Sequence, residues 1–77
     1  MAVYSLRYSE NRPGNIANDV LPWIQHTVVR ELAELGYRSS ADLIRRKIET
    51  DKSLTGGELE ALRSYCRNED ILVDKLE

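Results

Sequence analysis

One cysteine, one histidine and no phenylalanine occur in this chain of 77 residues. Each shortage closes a route. A lone Cys66 can form no internal disulfide, and it points to a reducing, cytoplasmic setting. One cysteine and one histidine cannot assemble a structural zinc site without carboxylates or a second chain. No apolar run approaches the length of a membrane span, and the amino terminus has no signal-peptide pattern. Internal repeats and low-complexity stretches are also missing. The absent crosslinks matter because the chain is short: a domain of this size buries only about 60% of the surface its unfolded form exposes. Small domains usually compensate with a disulfide, a metal or a partner subunit. A homo-oligomer is therefore expected.

A basic excess is lacking too. The net charge is −2 with 31% charged residues, an ordinary soluble surface, whereas nucleic-acid-binding domains usually carry surplus positive charge. The distribution is uneven. Residues 30–47 hold five cations (Arg30, Arg38, Arg45, Arg46, Lys47) against three acids, and residues 58–77 hold three cations against six acids. A basic middle and an acidic tail can form a partner-facing dipole, although solvated helical faces produce the same pattern.

What is present reads as short amphipathic elements. In residues 2–9, AVYSLRYS, period two puts Ala2, Tyr4, Leu6 and Tyr8 on one face, a half-buried strand. Pro13-Gly14 then signals a turn. A first helix starts near Asn18 or Asp19 as cap, with Pro22 in its first turn. Ile24, Val28, Leu32 and Leu35 form its buried stripe, and Gly36 ends it in a left-handed conformation. Ser39 or Ser40 caps a second helix lined by Ala41, Ile44 and Ile48, with Asp42 and Arg46 as an i,i+4 pair.

In LTGGELEALRSYC, residues 54–66, two glycines stand directly before a helical pattern. Thr55 and Glu58 have capping-box spacing, and Leu54 and Leu59 have that of a hydrophobic staple. The glycines are then the first two helical residues and not a phosphate loop, which would need Gly-x-x-x-x-Gly-Lys-Ser/Thr after a strand. Leu59, Leu62, Cys66, Glu69, Val73 and Leu76 continue as a seam of coiled-coil spacing. Alternatively RNED, residues 67–70, ends the helix and leaves ILVDKL as a strand. The helix to near the end is the favoured reading.

No residue argues for catalysis. His26 lacks a neighbouring carboxylate and nucleophile in sequence, and Cys66 lies on the apolar face, where a thiol behaves as a small hydrophobe. Aromatic anchors beside arginines suit protein interfaces, so an exposed Trp23 would favour a binding module.

Residues 21–49, LPWIQHTVVRELAELGYRSSADLIRRKIE, resemble the helix pair of ribbon-helix-helix repressors and antitoxins at Leu21-Pro22, Gly36-Tyr37, Ser39-Ser40 and Ile44-Arg45. That resemblance implies an intertwined dimer whose paired strands read the DNA major groove. Here the slot before Leu21 is NIAND, poor in strand formers and carrying Asp19. Residues 39–72 are also similar in layout to the helical Hha-type co-regulators, which bind a nucleoid protein.

The expected fold is mainly α: one strand over about 2–9 and three helices over about 19–35, 40–51 and 56–75, dimeric. Residues 1–77 form one domain, with 1–14 a strand-and-turn arm and 15–77 a helical body. The expected function is that of a small bacterial or phage-type regulatory or adaptor module acting by protein–protein binding. The alternative is a DNA-binding repressor or antitoxin of ribbon-helix-helix type. Arg7, Arg38, Arg45, Arg46, Lys47 and Trp23 are the candidate partner or nucleic-acid contacts. No enzyme activity, cofactor, metal, membrane or small-molecule substrate is expected.

Overall fold

The computed structural model describes residues 1–10 and 19–77. In chain order these form β1 (Ala2–Tyr8), α1 (Leu21–Glu34), β2 (Ser39–Asp42), β3 (Lys47–Thr50), α2 (Gly56–Arg67) and β4 (Ile71–Lys75). The four strands make one antiparallel sheet in the order β2-β3-β1-β4. The protein is thus α+β with two helices, and the mainly α, three-helix body expected from periodicity is not what forms. The β-α-β-β-α-β arrangement is the split one that ferredoxin-like domains use. So widely shared a fold says nothing of function by itself.

Strand β1, expected to belong to an arm, is instead central and organises the core. Its alternation sends Ala2, Tyr4 and Leu6 inward, all nearly inaccessible to solvent. Ile48 lies opposite Tyr4 and Val73 opposite Leu6, so core side chains face each other across neighbouring strands. Helix α1 covers β2 and β3 while α2 covers β4. They bring down Leu21, Ile24, Val28 and Leu32 from one side, and Leu62 and Cys66 from the other. Two layers close a hydrophobic core within one chain.

The ends of α1 follow local rules. Gly36 takes φ +93, Gly36 N–H donates to Ala33 O, and Tyr37 N–H donates to Leu32 O at 3.0 Å. These are the two bonds of a Schellman motif, and the positive φ is why glycine stands there. At the other end Val20 is the N-cap, without a side-chain bond of its own. Asp19 accepts instead from Leu21 N–H at 3.2 Å, and the Tyr8 hydroxyl accepts from Val20 and Leu21 N–H. Asn18 and the Pro13-Gly14 turn lie outside the described residues.

Residues 39–50 overturn the second helix. They form the β2–β3 hairpin, and Ile44, assigned to a buried stripe, is 94% exposed at its tip. Asp42 is the deciding residue. Its carboxylate accepts from Ile44 and Arg45 N–H at 3.1 and 3.0 Å, an Asx turn where a helix cap was expected. Arg46 closes the turn at φ 57. Lys47-Ile48-Glu49-Thr50 then alternates out and in, with Ile48 and Thr50 buried against β1. Pairing with β1 outweighs a local helical pattern that had nothing to pack on.

The third helix is shorter than expected. Residue Arg67 ends it, Asp70 turns the chain at φ 57, and Ile71–Lys75 returns as β4 alongside β1. The continuation through Glu69, Val73 and Leu76 is therefore no helical seam, and ILVDKL is the strand of the alternative reading. The start of α2 matches its capping box: Glu58 N–H donates to Thr55 Oγ1 at 3.2 Å and Thr55 N–H to Glu58 Oε1 at 2.9 Å. Leu54 and Leu59 both join the core. Thr55→Ala is expected to lower stability by about 0.5–2 kcal/mol, read as a falling Tm by circular dichroism. An unchanged Tm would mean that the cap contributes nothing.

Candidate functional site

The basic residues singled out in the sequence are only partly brought together: Arg7 and Lys47 share the open sheet face near the hairpin turn that carries Arg45 and Arg46, while Arg38 is at the other end of β2. Arg7 lies on the open face of the sheet and its Nε meets Asp74 at 3.2 Å. Arg45, at the hairpin tip, stands 3.9 Å from Asp42. Arg46 is held by Asp19 at 2.7 Å and lies over the Tyr8 ring. Lys47 is on the open sheet face, opposite Ser5 and Asp42. Arg38 is at the far end of β2, its N–H donating to the Asp51 carboxylate. Three of the five basic side chains thus already have an acid beside them. The open sheet face carries Val3, Ser5, Arg7, Glu49, Leu72 and Asp74 but no aromatic, since Tyr4 and Tyr8 point to the helices. A sheet that binds single-stranded RNA stacks bases on aromatics, and this face has none.

Trp23 is different. It is 73% exposed on the solvent side of α1, and it begins a ridge of i,i+4 neighbours, Trp23, Thr27, Glu31 and Leu35, along one flank of the helix. That flank borders a cleft. Because α1 and α2 pack on the sheet rather than on each other, a groove of about 350 Å³ stays open between them. Val28, Leu32 and Leu35 line one wall, and Ala61, Leu62 and Tyr65 the other. Leu35 is 58% exposed, Tyr65 is partly so, and Glu31 is the one charged residue among the described residues that line the space. The volume is at the low end of what small-ligand pockets enclose, and most of the lining is apolar.

One end of the groove is clasped. The Tyr37 hydroxyl, just past the end of α1, donates to Glu58 in the first turn of α2, and Lys52 lies 5.0 Å from the centroid of the Tyr37 ring. The donated hydrogen bond, with the Thr55 N–H, holds the Glu58 carboxyl below its ordinary pKa, while the carboxylate raises that of Tyr37. At the other end of the molecule, burial and then the Asp19 contact raise the pKa of Tyr8. These shifts belong to helix caps. They fix the geometry around the groove and offer no poised acid or base.

The reactive candidates do no better. Cys66 is fully buried and its thiol is pushed up to about 11 by desolvation, which makes it inert at neutral pH. His26 is exposed on α1. Among the described residues no group of three or more His, Cys, Asp or Glu could hold a metal ion. No described helix is long and apolar enough to cross a membrane. Comparison of the chain with family models, curated proteins and solved structures finds no match in any of the three. The ribbon-helix-helix resemblance required a second helix across Ser39–Ser40 and Ile44-Arg45, where the chain forms a hairpin.

Sequence reading missed the groove because it needs both helices in register. The signal it could have used is the leftover apolar positions. Leu35, expected in the buried stripe of the first helix, is exposed because α1 turns it away from the sheet, and Tyr65 is exposed as well.

Proposed function

We propose that the protein is a small regulatory or adaptor module that works by binding another protein, with the α1–α2 groove as its site. The observation that carries this reading is the open apolar cleft itself, which a monomeric domain gains nothing by leaving uncovered. The occupant that suits it is an amphipathic helix. Its apolar side chains would take the places between Leu35 and Tyr65, in the helix-in-groove mode. Glu31 in the lining, Glu34 one helical step away and the absence of Lys or Arg from the walls favour a helix with basic flanks. Trp23, one helical turn before the lining residue Thr27, would supply an aromatic anchor of the kind that dominates many interfaces. A cytoplasmic, reducing setting suits the single free thiol.

DNA binding is the weaker proposal. The net charge is −2, and Arg7, Arg45 and Arg46 are each engaged by an acid.

The test compares two exposed apolar residues. Leu35→Asp puts a charge in the groove, while Ile44→Asp puts one at the hairpin tip. The partner retained on immobilised protein from a native lysate should stay with wild type and with Ile44→Asp. Leu35→Asp should weaken its capture by about 30-fold or more, since truncated or charged anchors cost about 2 kcal/mol and upward. Circular dichroism should be unchanged for both. Equal retention by Leu35→Asp would remove the groove as the site.

A further inference from the structure

We propose that, when no partner helix is bound, the α1–α2 groove takes the hairpin tip of a second copy, so that copies associate head to tail. The proposal rests on the groove being a binding site, and it adds a rival occupant that the chain itself carries. Ile44 is 94% exposed at the tip, and Leu43 beside it is 40% exposed. Turn chemistry does not ask for them. Tight turns draw on Gly, Asn, Asp and Ser, whereas this one runs Leu-Ile-Arg-Arg. Even Arg46, at φ 57, stands where glycine or asparagine is usual. The tip is also held in shape. The Asp42 carboxylate accepts from Ile44 and Arg45 N–H, and Gln25 bonds both Asp42 O and Lys47 O at the hairpin base. A knob set in advance loses little freedom on docking.

Charge selects a second copy as the occupant. Among the described residues Glu31 is the one charge lining the groove, and it makes no ion pair there. The knob presents Ile44 next to Arg45, whose side chain is 75% exposed and stands 3.9 Å from Asp42, too far for a hydrogen bond. An apolar knob with a cation beside it thus matches an apolar slot with an anion beside it. Ile44 is too exposed to be seated in the groove of its own copy, so the fit is between copies. Knob and slot are different places on the chain, and each copy offers both. The contact is therefore heterologous, and association runs past two copies into a ring or a filament. Two apolar side chains make a small, weak contact, which an external helix displaces.

Sedimentation equilibrium of the full chain over a concentration series, alone and in mixtures, tests this. Wild type should form species larger than a dimer as its concentration rises. Ile44→Asp removes the knob and Leu35→Arg blocks the slot, so each variant alone should stay monomeric. Mixed in equal amounts, the two should form a heterodimer and stop there, because the intact knob of one meets the intact slot of the other. Arg45→Glu and Glu31→Arg should each weaken wild-type association by about threefold or more, and the double variant should recover most of the loss. Circular dichroism of each variant confirms the fold. A wild type that is monomeric throughout would overturn the proposal, and so would a mixture whose components stay apart. If Leu35→Asp still loses the external partner in that event, the groove stands as the site and only the docking of copies falls.

Discussion

Tyr4→Ala leaves the chain largely unfolded at about 37 °C. Tyr4 is 1% exposed in the central strand. Its ring lies across from Ile48, and its hydroxyl accepts from Leu54 N–H at 2.9 Å. Removing a buried aromatic costs about 3–5 kcal/mol, and the stranded Leu54 N–H adds about 1–3 kcal/mol. A domain of this length has roughly 4–12 kcal/mol in total. The two contributions separate by substitution: Tyr4→Phe keeps the ring and loses only the acceptor, so its Tm should fall by much less. Urea unfolding followed by circular dichroism reads both. If Tyr4→Ala retained a midpoint close to wild type, the sheet would not be organised around β1.

The second large effect is at Gln25, which is fully buried on α1. Its Nε2 donates to Asp42 O at 3.0 Å and to Lys47 O at 3.1 Å, the two residues at the base of the hairpin. One amide therefore fastens the helix to both strands that it covers. Gln25→Leu keeps the volume and leaves two carbonyls without their donor, at a cost of about 1–3 kcal/mol. Each kcal/mol corresponds to about 4–8 °C of Tm in a domain of this size. Gln25 Oε1 is buried without a partner among the described residues, and its removal offsets part of the loss. A Gln25→Leu variant as stable as wild type would mean that the hairpin needs no tether.

Local chemistry made some elements readable and left others hidden. Gly36, the Thr55–Glu58 box and the alternation of Ala2, Tyr4 and Leu6 act over a few residues, and each stands where the chain pattern puts it. Residues 39–50 failed for the opposite reason. Ser39-x-x-Asp42 and the spacing of Ile44 to Ile48 suit a helix, but the carboxylate serves a turn and Ile44 faces water. The competing signal was the four-residue alternation Lys47-Ile48-Glu49-Thr50, too short to outvote its neighbours until β1 supplies a partner some 45 residues away. The same holds for Ile71–Lys75. The chain read as rods too lean to cover themselves instead folds one flat layer under two helices. Of the candidate contacts, Trp23 was an aromatic whose exposure the sequence left open, and it is 73% exposed. The groove was not legible, since its two walls are more than 25 residues apart in the chain.

The bond from Tyr37 to Glu58 ties the finish of one helix to the outset of the other. That tie sets the spacing of the two helix ends, so any occupant of the slot meets walls whose separation at this end is dictated by the chain's own bonds and not by the visitor.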